Sequence, residues 1–211
     1  DEKWIDDDAR LPENLRGASA LISNPMQQGE ISKITLFSVA DYSWNNAAFN
    51  NDLSWSASLS AVVGKDRQAA LRLLAPHLRH FDADGLKLDV TYYKESVREG
   101  HPRPAGLISK FHAIHDACQT LASLKDSAQE SDRLFYNDIR PWLLRLDAMV
   151  TEAPALLRGE SPAPVDYDNN PDFQFSVLNG MGESISLTTL TAEPSAEILQ
   201  PLIVWLREQN Q

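Results

Sequence analysis

A single cysteine, Cys118, stands among 211 residues, so no internal disulfide can staple this chain, and the redox compartment stays open. Cations are scarce: 19 Lys and Arg face 30 Asp and Glu, for a formal net charge of −11. Binding a phosphate backbone requires Lys/Arg stripes that release counterions, so no nucleic-acid partner is expected. No run approaches the ~18 consecutive apolar residues of a spanning helix, so no membrane span is expected. The opening DEKWIDDDAR is charged and lacks an apolar h-region, and does not read as a secretory signal. Glycine-rich phosphate loops, GxSxG and CxxC are also missing, which removes the usual nucleotide, nucleophile-elbow and dithiol chemistries. Internal repeats and low-complexity tracts are not seen.

A chain of this length can bury a sizeable core in one or two domains. Residues 1–20 are polar and irregular. The stretch SNPMQQGEISKITLFSVADYSWN at 23–45 joins a polar start to a nearly unbroken apolar run. Asn24 reads as an N-cap, Pro25 as the first helical residue, and Gln27 completes a relaxed capping box. Ile31, Ile34, Phe37 and Ala40 follow at helical spacing, and Leu36 and Val39 widen the face, predicting a helix over 25–44 that is buried on most sides. Gly29 within it suggests close approach of another backbone. The Asn/Asp cluster at 50–52 ends one unit and caps a short helix over 53–63 that stops at Gly64, and another helix over 66–79 is kinked at Pro76. Residues 82–104 are weakly periodic. Leu107, Phe111, Ile114, Cys118 and Leu121 define an amphipathic helix, and a second runs over 131–157. Pro141 should bend this second helix or mark a new start. Their short connection makes them antiparallel neighbours. Residues 161–171 read as a linker. Phe173, Phe175 and Val177, then Ile185 and Leu187, suggest a small hairpin near 173–187 turned at Asn179-Gly180. A last helix spans about 195–208.

Several constellations tempt. Asp6-Asp7-Asp8 resembles a carboxylate pair for acid/base work, but it lies in a polar terminus without the rigid strand end such a pair requires. FDADG at 81–85 resembles a calcium loop. In that register position one is His80 and position twelve is Thr91, so the bidentate Glu is missing. His112 and His115 stand three apart with Asp116 alongside, yet no third ligand at metal spacing accompanies them, and they read as surface or packing residues. Cys118 falls on an apolar stripe, as a core residue rather than a nucleophile. Residue by residue, the chain presents no self-sufficient active site, and neither a metal nor a cofactor is expected.

The stretch at 23–45 resembles a segment of bacterial glycoside hydrolase family 84, the β-N-acetylglucosaminidases that include O-GlcNAcase-like enzymes often described as hyaluronidases. The matching residues are Ser23-Asn24-Pro25-Met26, then Glu30-Ile31-Ser32-Lys33-Ile34, then Val39-Ala40-Asp41-Tyr42-Ser43-Trp44-Asn45. Weaker similarity continues at Asp52-Leu53-Ser54-Trp55, Pro141-Trp142-Leu143 and Pro201-Leu202-Ile203, whereas residues 160–195 match nothing in it.

The resemblance implies a mainly α chain: the last loop and helix of a (β/α)8 barrel followed by an antiparallel helical bundle. It divides the chain into the end of a catalytic barrel (1–45), a post-catalytic bundle (46–158), and a linker, possible hairpin and terminal helix (159–211). It also explains a helix apolar nearly all round, which would lie between barrel and bundle. By the same resemblance Asn24 is substrate-binding, hydrogen-bonding hydroxyls of a bound N-acetylglucosamine, at the barrel face where such sites gather. The family reaction is substrate-assisted, with the acetamido oxygen attacking C1, and uses two adjacent aspartates several strands upstream. Asp6–Asp8, only 16–18 residues before Asn24, do not fit that place. The chain is therefore expected to be part of a retaining β-N-acetylglucosaminidase, inactive alone, packing on its barrel and reaching an N-acetylglucosamine-containing glycan through it. A secreted or cell-surface bacterial setting follows from the family. The competing class is a non-catalytic helical protein-interaction module.

Overall fold

The computed structural model describes residue 23 and residues 27–44, 47–78, 85–101, 105–181 and 184–210. Among the described residues the protein is mainly helical, with one two-stranded antiparallel hairpin. Helices α1 (Gly29–Trp44) and α2 (Asn51–Val63) form an antiparallel pair that α3 (Lys65–Leu74) extends. A 3-10 turn, Ala75–Leu78, carries Pro76 where a kink was expected. Then come α4 (Leu86–Arg98), α5 (Gly106–Ala122) and α6 (Glu130–Leu157), and after them strands β1 (Gln174–Met181) and β2 (Ser184–Thr191) and helix α7 (Ala196–Gln209).

The centre is α5 against α6. Phe111, Ile114 and Leu121 of α5 meet a stripe on α6 that runs through Phe135, Ile139, Leu143, Leu146 and Met149, all essentially buried. This is the three-and-four spacing the sequence displays, and the short connection turns one helix back along the other. Pro141 does not mark a new start, because α6 continues past it as one 28-residue helix. Proline forfeits the bond to the carbonyl four residues back, and that residue, Asn137, is exposed, where water can take the bond instead. On the other side of α6, Ile198, Leu199, Leu202 and Ile203 of α7 join the same core.

Two local caps follow the sequence closely. The Asn50 side chain accepts from Leu53 N at 2.9 Å and starts α2. Gly64, with φ 81°, ends it, a backbone angle that disfavours side chains. Three expectations are corrected. Residues 86–98, read as weakly periodic, form α4, which buries Leu86, Val90 and Tyr93. In the hairpin, Asn179 and Gly180 are not the turn. They lie within β1, paired with Ser186 and Ile185, and the strands close at Met181 and Ser184, two residues further on. That register pairs Phe175 with the exposed Leu190, and the half-buried Phe175 ring meets Trp142 of α6 at 4.3 Å. Finally, α1 begins at Gly29, not Pro25, and a Cβ added at Gly29 would meet nothing within 4 Å. No neighbouring backbone accounts for that glycine.

Candidate functional site

Asn24, Pro25 and Met26 lie outside the described residues, as do Asp6–Asp8 and most of the FDADG stretch, whose Gly85 turns into α4 with φ 67°. What the structure places is the chain from Gln27 onward, which is held from two distant parts of the fold.

The first hold is on Gln27. Its side-chain amide donates to the Leu178 carbonyl at 2.8 Å and accepts from the Leu178 N–H at 3.1 Å. Both bonds use the outer edge of β1, so the Gln27 amide replaces one residue of a missing neighbouring strand. The second hold is on α1 itself. The Asp138 carboxylate of α6 accepts from Glu30 N at 2.7 Å and from Ile31 N at 3.2 Å. Two N–H groups that a helix start leaves unpaired are thus satisfied by a residue more than a hundred positions away, and its negative charge also suits the positive end of the helix dipole. This is why α1 starts at Gly29: the cap is supplied by tertiary contact. Gln28 provides the first carbonyl, which takes bonds from Ser32 N at 3.2 Å and Ser32 Oγ at 2.6 Å.

Beneath this helix start lies a cavity of about 180 Å³ among α1, α2, α3 and α6, walled by Ile31, Ile34, Trp55, Leu71 and Trp142. Its walls are apolar, and its Asp138 carboxylate is already committed to two backbone N–H groups. A hexosamine needs several convergent polar partners, so this cavity is not a sugar pocket.

Other tempting groups resolve into packing. His115 Nδ1 lies 2.7 Å from Asp147 Oδ1, and Gln119 donates to Asp147 Oδ2 at 2.9 Å, joining α5 to α6. Burial pushes the Asp147 carboxyl up, and the His115 contact opposes that shift. His112 points to solvent, so the two histidines do not converge. Among the described residues no three His, Cys, Asp or Glu are placed to hold a metal. Cys118 is buried in the core, where burial first and the nearby Asp147 charge second push its thiol well above the usual range. It is a core side chain, not a nucleophile. Ser195, at φ 43°, places its Oγ 3.2 Å from His77 Nδ1, but both residues are almost wholly buried and no substrate reaches them. They fix the start of α7 to the turn after α3.

Sequence reasoning missed the contacts of Gln27 with β1 and of Asp138 with the start of α1. Gln27 reads there as part of a local capping box. Asp138 sits beside Ile139 on a helix whose partner across the fold no local pattern identifies.

Residues 7–76 match the family model described as beta-N-acetylglucosaminidase. The match takes in the whole 23–45 stretch, α1, α2 and α3, and stops in the turn at Pro76, ahead of α4 to α7. Over residues 7–76, about a third of its length, the chain is thus similar to the beta-N-acetylglucosaminidase family.

Proposed function

We propose that this chain is the C-terminal part of a retaining β-N-acetylglucosaminidase that removes terminal N-acetylglucosamine from glycoconjugates or glycoproteins. In this reading a catalytic barrel precedes it. Residues 1–45 supply the barrel's last loop and helix, 46–158 a buttressing bundle, and 159–211 the linker, hairpin and helix that lock the bundle. Asn24 contributes hydrogen bonds to sugar hydroxyls. The barrel supplies the carboxylate pair: one orients the acetamido group as its oxygen attacks C1, and the other protonates the leaving oxygen and later activates water. The chain alone is inactive.

One observation carries this reading beyond the family match. Helix α1 carries apolar residues around most of its circumference, yet among the described residues it is covered on one side, by α2 and α6. Trp44 is 90% exposed, Leu53 at the start of α2 is 71% exposed, and Phe37 is 37% exposed. Burying a large aliphatic or aromatic side chain stabilises by about 1.5–3 kcal/mol, so three left open on the matched helices indicate a surface that another body covers. A barrel that these helices complete is such a body.

Two variants test this. Trp44→Glu should change the stability of the isolated chain by less than about 0.5 kcal/mol, as an exposed substitution does. In the complete polypeptide it should destabilise by about 2 kcal/mol or more, because a charge would enter an apolar contact. Neutrality in both settings would sink the packing. In parallel, the isolated chain should not hydrolyse an aryl N-acetyl-β-glucosaminide. Turnover that survives repurification and is lost in Asp7→Ala would place the chemistry in the acidic run instead.

A further inference from the structure

We infer that strand β2 is a pairing edge for a second copy of this chain, so that two hairpins join antiparallel into one four-stranded sheet. The inference does not depend on the glycosidase reading.

The backbone decides which groups are open. Leu178 gives both its N–H and its C=O to Gln27, so Leu178 and Leu187, which face each other, are not bonded across the hairpin. The backbone groups of Leu187 then point away from β1 as well. Bonded and non-bonded pairs alternate along an antiparallel ladder, so Ile185 and Thr189, opposite Gly180 and Ser176, also turn theirs outward. Among the described residues no third strand takes them up. The side chains along this edge are equally uncovered, with Ile185 72% and Leu187 67% exposed. Edge strands that stay unpaired are protected by a charged side chain, a proline or a bulge. The two strands, QFSVLNGM and SISLTTLT, contain neither charge nor proline, and their register runs without a bulge.

Three observations select a second copy as the occupant. The hairpin has one open edge, not two: a strand added along β1 would have to displace Gln27. Pairing at β2 therefore closes at two chains instead of growing into a filament. The edge is also self-complementary. Laid antiparallel on itself with Leu187 opposite Leu187 of the second copy, β2 sets Ile185 against Thr189 on either side, and each outward N–H meets an outward C=O. Finally, the chain carries a net charge of −11, and two copies meet with least repulsion where neither strand is charged. A contact of one strand with another is small, so the dimer is weak and forms as concentration rises.

The experiment is sedimentation equilibrium of the 211-residue chain, from about 10 to about 300 μM, the range in which a weak interface associates. The parent should pass reversibly from one chain to two and stop there. Leu187→Lys and Leu187→Glu should each stay monomeric, because like charges would stand directly opposite across the twofold axis. Their Tm at low concentration should match the parent's, since the position is exposed. An equal mixture of the two variants should dimerise again, as opposite charges then face each other. A parent that stays monomeric or grows beyond two chains, a single variant that still dimerises, or a mixture that does not, would overturn the inference. Dimerisation lost in Trp44→Glu but kept in Leu187→Lys would overturn it too, by placing the contact on α1.

Discussion

The Tyr167 hydroxyl donates to the Glu152 carboxylate of α6 at 2.6 Å, in the interior. Arg207 of α7 donates to the other Glu152 oxygen at 2.8 Å through Nε. A carboxylate this buried is tolerable only with both oxygens engaged, so the three residues bind the segment after α6 and the terminal helix to α6 as a unit. Arg145, about two turns earlier on α6, makes a similar tie, donating to the Ala192 carbonyl at 2.5 Å and to Gln200 Oε1 at 2.9 Å.

Burial first, and Glu152 second, push the Tyr167 hydroxyl above its ordinary value near 10. Above that pH the folded state holds a proton that the unfolded chain has released. Stability from this group is complete below about pH 10 and is lost as pH rises from there towards the folded value. Tyr167→Phe removes a hydrogen bond to a charged group and should cost about 1.5–3 kcal/mol at pH 7. It should also shrink the alkaline loss. Denaturant unfolding of both proteins at pH 8 and pH 11 checks this. An alkaline fall in Tyr167→Phe as steep as in the parent would show that Tyr167 is not its source.

Amide exchange should be slowest in α5 and α6, around Phe111, Ile114, Leu146 and Met149, which have almost no exposed surface. It should be faster in β1 and β2. The outward face of that hairpin carries Leu178, Ile185 and Leu187 in the open, and a two-stranded sheet is only marginally stable by itself. Exchange in the hairpin slower than in α6 would mean that the core is misplaced.

The cap of α1 yields a contrast between two substitutions in the isolated chain. Because Glu30 N and Ile31 N are taken by Asp138, Asn24→Ala should leave stability within about 0.5 kcal/mol. Asp138→Ala should cost about 1 kcal/mol, or roughly 2–4 °C in Tm for a chain of this size. Equal losses from the two would return the cap to Asn24.

Much of the fold is legible locally. The stripe Leu107–Leu121, the Asn50 cap and the Gly64 stop depend on residues within one or two turns, and each appears where the spacing puts it. Helix α4 was obscured because Leu88 and Tyr92 are exposed and break up the apolar face formed by Leu86, Val90 and Tyr93. The hairpin turn was misplaced because Asn-Gly suits a turn by itself, whereas in the fold the strands stay paired through Gly180, with Phe175 set against Trp142 of α6. The start of α1 could not be read at all: a strong local cap at Asn24 yields to Asp138, over a hundred residues on. The candidate site divides the same way. The Asn24 segment is visible as a linear resemblance, while the contacts of Gln27 and Asp138 are chosen by tertiary packing.

The most direct test of the account is Asn24→Asp in the complete polypeptide, with kcat/KM on an aryl N-acetyl-β-glucosaminide and Tm measured together. An ionised Asp cannot donate a hydrogen bond, and it adds repulsion beside a carboxylate pair. With the α1 cap supplied by Asp138, stability should stay nearly unchanged. Catalytic efficiency should fall by about ten- to a hundredfold, on the order of 1.4–3 kcal/mol of transition-state binding. Full activity in a folded Asn24→Asp protein would contradict a donor role for this side chain at the sugar.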